Sequence, residues 1–116
     1  MLDASCIFCK IIQGTIKSAV VFENEHVLVI NDIAPKAPIH YLILPKKHIA
    51  TLADLTMADK EMAWHMLLAA QELGSKTPSK AFNLISNNGA AAGQSVGHLH
   101  FHLLSGKNLY DGGFSL

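Results

Sequence analysis

The sequence predicts an α+β fold: an antiparallel five-stranded sheet with one long helix and a short N-terminal helix. Two observations support this prediction. Short apolar and β-branched runs recur along the chain, and only one long stretch with helical periodicity lies between them. The chain has 116 residues, which is the size of one domain, so we expect a single domain over residues 1–116.

Composition and charge exclude several classes of function. Nine basic and nine acidic side chains cancel without forming a run of like charge, so we expect a small ligand and no nucleic acid polymer. The longest apolar run, Ala37–Pro45, is interrupted by His40 and is far shorter than the roughly 20 residues of a membrane span. Asp3 lies where a signal peptide carries positive charge. We therefore expect a cytoplasmic protein with no membrane segment.

A short helix is predicted at the start of the chain, over Cys6–Gln13. Its apolar side chains Phe8, Ile11 and Ile12 have helical spacing, and Gly14 follows as a stop.

Three strands are predicted next. Apolar and β-branched residues favour strands at Val20–Phe22, His26–Ile30 and His40–Pro45, the first two as a hairpin. The intervening Asn31–Pro38 contains two prolines, which cannot donate to a strand ladder, and is expected to form a loop.

The long helix is predicted over Met57–Leu73. Thr56 and Asp59 resemble a capping box, and Gly74 is expected to end the helix. Its apolar stripe consists of Met62, Met66, Ala69 and Leu73.

The C-terminal part contains the last two predicted strands. After a polar connection at Ser75–Lys80, a fourth strand is expected at Phe82–Asn87 and a small-residue loop at Asn88–Gly93. The fifth strand is expected at Gln94–Leu104, and Gly106–Leu116 is a tail without a strong pattern.

The fifth strand contains three of the seven histidines, at every second position. In a strand, His98, His100 and His102 share one face, and the apolar residues between them share the other. Imidazoles titrate near neutrality and need hydrogen-bond partners when buried, so this pattern indicates a functional site.

Three kinds of chemistry fit such a strand. The histidines can ligate an open zinc site, or a neutral imidazole can attack phosphorus beside a second imidazole that stabilises the charge, or all three can be structural. Gly93, Gln94 and Ser95 precede the strand and offer backbone N–H, amide and hydroxyl donors, which favours a phosphate ligand.

The two cysteines form a Cys6-x-x-Cys9 pair. They lie too close together to brace a fold as a disulfide, so the spacing suits a metal or a redox couple in a reducing compartment. The alternative is a pair of free buried thiols.

These residues resemble the histidine triad (HIT) proteins, and in particular their Hint type. The similarity extends from Cys6 to about Ser105. The segments that support it are Cys6–Ile12, Asn31–Pro35, Ala37–His40, Leu44–Ile49 and Gly93–Leu104, the last with the alternating histidine pattern.

The resemblance implies catalytic roles for several residues. His100, the middle histidine, matches the nucleophile that takes a nucleoside monophosphate from an amine or other leaving group. His102 and His40 match residues that contact the α-phosphate oxygens, and Ser95 and Gln94 match positions near the phosphate and the leaving group.

The resemblance also implies a nucleotide site. Asp32 matches the ribose-binding acid and Asn87 an asparagine beside the phosphate, while Phe8, Ile11 and Ile33 match the base pocket. From the residues alone, Asp32 and Asn87 equally suit turns, and the apolar residues suit the core.

The cysteines add a metal site to this picture. Cys6, Cys9, His48 and His98 resemble the ligand set of several bacterial HIT proteins and of galactose-1-phosphate uridylyltransferases, which implies a structural zinc. His98 then serves the metal, whereas His100 attacks and His102 stabilises the phosphate.

The resemblance implies an enzyme, a hydrolase of purine nucleoside 5′-monophosphate derivatives such as AMP-amine or AMP-lysine phosphoramidates, with no cofactor needed for catalysis. The alternative is a nucleotide-binding scaffold or regulatory protein with little turnover. The resemblance also implies a homodimer with a continuous sheet, for which Trp64 is a core or interface candidate. His26 and His65 match no family position and are expected on the surface. The tail lacks the tryptophan-containing end of some Hint proteins.

Overall fold

The computed structural model of the chain contains a five-stranded antiparallel sheet, as predicted. Its strands are β1 (Val20–Glu23), β2 (Val27–Asn31), β3 (Ile39–Pro45), β4 (Phe82–Ile85) and β5 (Phe101–Ser105). They lie in the order β1-β2-β3-β5-β4, so β1 and β4 form the two edges. The structure describes residues 3–113 and 115–116; Met1, Leu2 and Phe114 of the predicted termini lie outside them.

Two helices cover opposite faces of the sheet. Helix α2 (Lys60–Ser75) packs its buried methionines on one face, where Val29, Ile43 and Leu103 point because alternate strand residues share a face. Helix α1 (Ile7–Gln13) packs on the other face, against the cluster that contains Leu28, Ile30, Leu42 and Leu44. None of the helices described is both long enough and apolar enough to cross a membrane.

Helix α1 begins one residue later than predicted. Cys6 is its N-cap, and the Cys6 Sγ accepts the Cys9 backbone N–H at 3.2 Å. Gly14 ends the helix with φ at 82°, a left-handed conformation that glycine adopts without steric cost. Both cysteines are buried under the helix, which fixes where their thiols point.

The predicted bounds of the long helix were wrong at both ends. Met57–Asp59 is a 3₁₀ turn, stabilised by the predicted Thr56–Asp59 capping box, in which the Asp59 carboxylate accepts the Thr56 N–H at 3.0 Å. The helix also continues through Gly74 to Ser75. A side chain at position 74 would collide with the Phe82 ring, so this glycine serves a close packing contact, not a helix stop.

The predicted fifth strand was also too long. Its paired part starts at Phe101, while residues 96–98 form a bend. The Leu99 N–H donates to the Ile49 carbonyl at 2.7 Å, outside the strand ladder. Leu99, Phe101 and Leu103 still face the core beside α2, as the alternation predicted. The fourth strand likewise ends at Ile85 and not at Asn87.

Candidate functional site

A cavity of about 400 Å³ opens between α1, the loop after β2 and the bend before β5. This volume lies within the roughly 300 to 1,000 Å³ typical of small-molecule sites. Seven of the residues predicted from the sequence line it: Phe8, Ile11, Asp32, Ile33, Ser95, His100 and His102.

His100 has one ring nitrogen committed and one free. Its Nδ1–H donates to the His98 carbonyl oxygen at 2.7 Å, so the neutral ring carries its lone pair on Nε2. The ring is buried, and the edge of Phe8 packs against it at a centroid distance of 5.1 Å. This arrangement holds an imidazole in the tautomer that a nucleophile requires.

His40 fixes the tautomer of His102. The Lys36 backbone N–H donates to His40 Nδ1 at 3.0 Å, so the His40 proton resides on Nε2. That Nε2–H donates to His102 Nδ1 at 2.9 Å, which leaves the proton of a neutral His102 on Nε2. His102 is thereby set as a hydrogen-bond donor.

Burial keeps both of these rings neutral. It lowers the pKa of His102 to about 4, with smaller contributions in the same direction from His100 and His40. The pKa of His40 is also lowered by burial, against an opposing effect of the Asp32 carboxylate. At pH 7 the pair therefore works through oriented N–H groups, not through a fixed positive charge.

Asp32 lies beside this pair with part of its carboxylate available. Its Oδ1 accepts the Ala34 N–H at 2.8 Å, and its Oδ2 is 3.4 Å from His40 Nε2. Asp32 therefore organises the loop and also lines the cavity, and its role in ribose binding stays a prediction.

Three predicted site residues do not line the cavity. His40 is buried behind His102. Gln94 has its side chain occupied within the loop, because its Oε1 accepts the Gly89 N–H at 2.7 Å and its Nε2 donates to the Ala50 and Val96 carbonyls.

Asn87, the third of these residues, is half-buried next to Asn88. The Asn88 Oδ1 accepts the Leu52 N–H at 2.8 Å and thereby ties this loop to the segment before α2.

Ser95 is the polar group of this loop that remains available. It is exposed, lines the cavity, and makes no side-chain hydrogen bond to any residue within 3–113 or 115–116. A phosphate beside His100 and His102 can therefore be met by the Ser95 hydroxyl.

Sequence reasoning missed part of the cavity wall. The missed residues are Ile7, Ile16, Lys17, Ser18, Ile30, Asn31, Leu42 and Val96. Ile7 lies on the exposed side of α1. Only its position in the predicted helix could have indicated that it lines the cavity. The segment 16–18 follows Gly14 without a periodic pattern, and only the fold brings it beside Asn31.

The four predicted metal ligands come together in the structure. Cys6, Cys9, His48 and His98 offer ligand atoms that all lie within 4.8 Å of one another. His98 Nδ1 is 3.1 Å from His48 Nδ1 and 3.4 Å from Cys6 Sγ, and Cys9 Sγ is 3.2 Å from His48 Nδ1. Ligands at zinc bond lengths in a tetrahedron are separated by about 3.3 to 3.8 Å. The three distances lie within or slightly below this range, so the four ligand atoms lie close enough together to share one metal ion.

The protons and thiol contacts of this cluster also suit a metal. The His98 Nε2–H donates to the Pro45 carbonyl at 2.9 Å, so the Nδ1 lone pair faces the thiols. Burial lowers the pKa of His98 to about 4, which keeps the ring neutral. Each sulfur accepts a backbone N–H, Cys6 from Cys9 and Cys9 from Asp3. These residues could hold a metal ion in a closed four-ligand site.

The triad itself does not form the open metal site considered above. His98 faces the cysteines, whereas His100 and His102 face the cavity. A second group, Asp32, His40 and His102, is also closely spaced. There the Lys36 N–H occupies His40 Nδ1, which requires a proton on the Nε2 that a metal would need.

The remaining singled-out residues lie away from the cavity. His26 and His65 stack on one another with centroids 4.3 Å apart, between the β1–β2 turn and α2. Trp64 is 57% exposed, so the core alternative for this residue was wrong.

Comparison with known proteins places this geometry in context. The family model described as "Scavenger mRNA decapping enzyme C-term binding" matches residues 5–113. The chain is 41% identical over 102 residues to an uncharacterized HIT-like protein of Synechocystis, covering 87% of this chain and 90% of that protein.

Solved structures show the same similarity. A HIT family hydrolase from Legionella pneumophila superimposes with a TM-score of 0.85 at 42% identity, covering 90% of this chain and 95% of that one. A histidine triad protein from Clostridium difficile has a TM-score of 0.87 at 39% identity, covering 94% and 96% of the two chains.

Proposed function

The chain belongs to the histidine triad (HIT) family, and from this premise we propose that it is a hydrolase of purine nucleoside 5′-monophosphate derivatives. Its substrates are phosphoramidates of the AMP-amine or AMP-lysine type, and the reaction passes through a nucleotidyl-histidine intermediate. The observation that carries the proposal is the single free nitrogen of His100, which its bond to the His98 carbonyl directs into the cavity.

In the first step, His100 Nε2 donates its lone pair to the α-phosphorus, and a nitrogen–phosphorus bond forms. The bond between phosphorus and the amine breaks, and the amine leaves with a proton that solvent water supplies. The nucleotidyl ring keeps its Nδ1–H and is positively charged until hydrolysis, when the attacking water returns a proton to solvent. The His102 Nε2–H and the Ser95 hydroxyl hydrogen-bond the phosphate oxygens, whose charge rises in the transition state. His40 acts through His102 as a positioning residue, because it holds the donor tautomer of that ring.

In the second step, water attacks the phosphorus of the nucleotidyl-histidine. The nitrogen–phosphorus bond to His100 breaks, the nucleoside monophosphate leaves, and the ring regains its free lone pair. Burial of the site limits competing water and strengthens each hydrogen bond to the phosphate.

The rest of the cavity accounts for nucleotide binding. Asp32 accepts the ribose hydroxyls, since an ionised carboxylate is a strong acceptor for two donors. The apolar side chains of Phe8, Ile11 and Ile33 cover the purine faces. Gln94 supports the loop that presents Ser95, and Asn87 is proposed to lie beside the phosphate.

We further propose that the Cys6, Cys9, His48 and His98 cluster binds zinc. Two sulfurs and two imidazoles in a closed tetrahedral set are typical of structural zinc, which organises the fold and does not react. The metal joins α1 to the segments that hold His48 and His98.

A homodimer is the proposed assembly. Met57 is 79% exposed and Trp64 57%, and Leu67 and Leu68 continue this apolar strip along α2. The edge strand β4 meets α2 where the Phe82 ring lies against Gly74, and its Phe82 and Leu84 are partly exposed. A second copy can cover the strip and extend the sheet through β4.

The proposed function is tested by hydrolysis of adenosine 5′-phosphoramidate. We expect wild-type protein to release AMP, and His100→Gln to lower kcat by a factor of about 10³ or more because the nucleophile is absent. His65→Gln is the matched control, since its ring lies outside the cavity, and it should retain full turnover.

Unchanged turnover in His100→Gln would refute the proposed mechanism. Tight AMP binding without turnover of any phosphoramidate would instead favour the scaffold alternative.

A further inference from the structure

The nucleotide cavity and the metal cluster share helix α1. Cys6 at its N-cap and Cys9 in its first turn face the two metal-site histidines. From the same helix, Ile7, Phe8 and Ile11 line the cavity. Any movement of this helix therefore alters both sites together.

Helix α1 cannot hold its position by itself. It has 7 residues, well below the roughly 12 to 15 at which an isolated helix becomes even marginally stable in water. Its place is set by contacts with the rest of the fold, and the two thiols lie at the centre of those contacts. A metal bound to them fixes the N-terminal end of the helix.

Phe8 lies between the two sites. Its ring meets the His98 ring edge-on at a centroid distance of 6.0 Å and the His100 ring at 5.1 Å. The side chain is 7% exposed, so neither neighbour can shift far without displacing it. One aromatic ring thus touches a metal ligand, the nucleophile and the nucleotide cavity.

The backbone provides a second link in the same direction. The His98 carbonyl accepts the His100 Nδ1–H, and the His98 ring is held by the Pro45 carbonyl. A metal on His98 Nδ1 fixes the plane of this ring and, through the carbonyl of the same residue, the orientation of the nucleophile.

We propose that metal binding and nucleotide binding are positively coupled, and that Phe8 is the positioning residue that transmits the coupling between the cluster and the cavity. The inference rests on the proposed nucleotide site. Because coupling between two ligands is reciprocal, each ligand tightens the other by the same factor. Coupling between sites in proteins is typically about 5- to 150-fold, and we expect a factor in this range.

The test measures two affinities. The Kd of AMP is determined by calorimetry for zinc-loaded protein and for protein stripped with a chelator, and zinc affinity is determined by chelator competition with and without saturating AMP. We expect AMP to bind at least about 5-fold tighter to the loaded protein, and zinc affinity to rise by the same factor when AMP is present.

Two variants separate coupling from simple loss of binding. Phe8→Leu keeps an apolar side chain but removes the ring that meets both histidines. The ratio of AMP affinities with and without zinc should therefore fall towards 1. Ile33→Ala removes a cavity contact far from the cluster, and should weaken AMP binding equally in both forms while the factor stays unchanged.

The outcomes distinguish this inference from the proposed function. Equal AMP affinity with and without zinc overturns the coupling, whereas a full factor retained in Phe8→Leu overturns the role of Phe8 as its transmitter. Both results leave the nucleotide site standing. Absence of AMP binding in both forms overturns both. If stripping zinc unfolds the protein, the Phe8→Leu and Ile33→Ala comparison by zinc affinity still decides, because coupling through global folding does not depend on Phe8.

Discussion

The rings around the cavity differ in which nitrogen each has free. His100 keeps a lone pair on Nε2 because its Nδ1–H is bound to a carbonyl, whereas His102 keeps a proton on Nε2 because His40 donates to its Nδ1. His98 keeps its lone pair for the cysteines. Hydrogen bonds to the backbone carbonyls of His98 and Pro45 and to the His40 ring thus give three identical side chains unlike roles.

Asp32 offers a test of ribose recognition at this scale. We expect Asp32→Asn to weaken AMP binding about 10-fold, because a charge-assisted hydrogen bond contributes roughly 1.5 to 3 kcal/mol, and to weaken 2′-deoxy-AMP binding less. Calorimetric titration of both nucleotides measures the two effects. Asp111→Asn, in the exposed tail, controls for the lost charge, and equal losses for both nucleotides would argue against a ribose contact.

The depressed pKa of His102 predicts a pH dependence of stability. The pKa is about 4 in the folded protein and 6.5 for the ordinary side chain, so between these values the unfolded state binds more protons. The contribution of His102 to the free energy of unfolding is complete above pH 6.5 and is lost as the pH falls towards 4. It amounts to about 3 kcal/mol.

Denaturation of chelator-treated wild type and His102→Asn across this pH range measures the effect. The variant should have the flatter profile. Parallel profiles would show that the pKa of His102 is not depressed. They would also show that the surrounding groups do not shift this pKa; these groups are His100, His40, Asp32 and Lys36.

Much of the site could be predicted at the residue scale because its chemistry is local. The cysteine spacing and the alternating histidines are visible in the sequence. They identify residues of both the cavity and the cysteine–histidine cluster. His40 lies behind His102, and the Gln94 amide donates to a carbonyl outside its own loop. Both arrangements depend on contacts between segments that are distant in sequence. No spacing rule predicts such contacts.

Among the elements, the bend before β5 does the most to divide the site. His98 in this bend lies beside the cysteines while His100 and His102 face the cavity, so the two sites lie side by side on the α1 face of the sheet. Strict alternation predicted the apolar face correctly, yet placed the start of the strand too early. The bend is held by the Leu99–Ile49 hydrogen bond and by the Gln94 amide, which period-two patterns do not show.

The loop before the bend makes a testable contrast between two neighbours. Gln94→Ala removes two hydrogen bonds within the loop and one to the Ala50 carbonyl, so we expect the free energy of unfolding to fall by about 1 to 3 kcal/mol. Ser95→Ala removes a hydroxyl that has no hydrogen-bond partner among the described residues, and should lower kcat while stability stays unchanged. Chemical denaturation and phosphoramidate turnover measure the two effects, and lost AMP affinity in Gln94→Ala at full stability would assign that side chain to the ligand instead.

The helix prediction failed at Gly74 for a reason that belongs to packing. Glycine after an apolar stripe usually ends a helix, but here it lets the Phe82 ring approach the helix backbone. The partner in that contact belongs to β4, the next strand along the chain, so the role of Gly74 is visible only once that strand is placed against the helix.

For the whole molecule, the two sheet faces are used differently. The α2 face forms the larger core, whereas the α1 face carries the cysteine–histidine cluster and the cavity. Within the described residues, Trp64 and Leu67 on α2 are exposed and β4 pairs with a strand on one side only, which is the basis of the proposed dimer.

Negative charge introduced on the exposed side of α2 should dissociate the proposed dimer. We expect Trp64→Glu combined with Leu68→Glu to elute as a monomer in light-scattering chromatography, because burying two carboxylates against a second copy is unfavourable. Wild type should be a dimer. Ala53→Glu, exposed outside α2, is the charge control and should remain dimeric. A dimeric double variant would exclude this face as the interface.

The proposed mechanism depends most on His100 as the nucleophile, and detection of the nucleotidyl-histidine intermediate tests this role most directly. Rapid acid-free quenching of wild-type protein with adenosine 5′-phosphoramidate, followed by intact mass measurement and peptide mapping, should show one adenylyl group on His100. The adduct should form and decay at rates compatible with turnover and be absent from His100→Gln. Turnover with no adduct, or an adduct on another residue, would contradict the account.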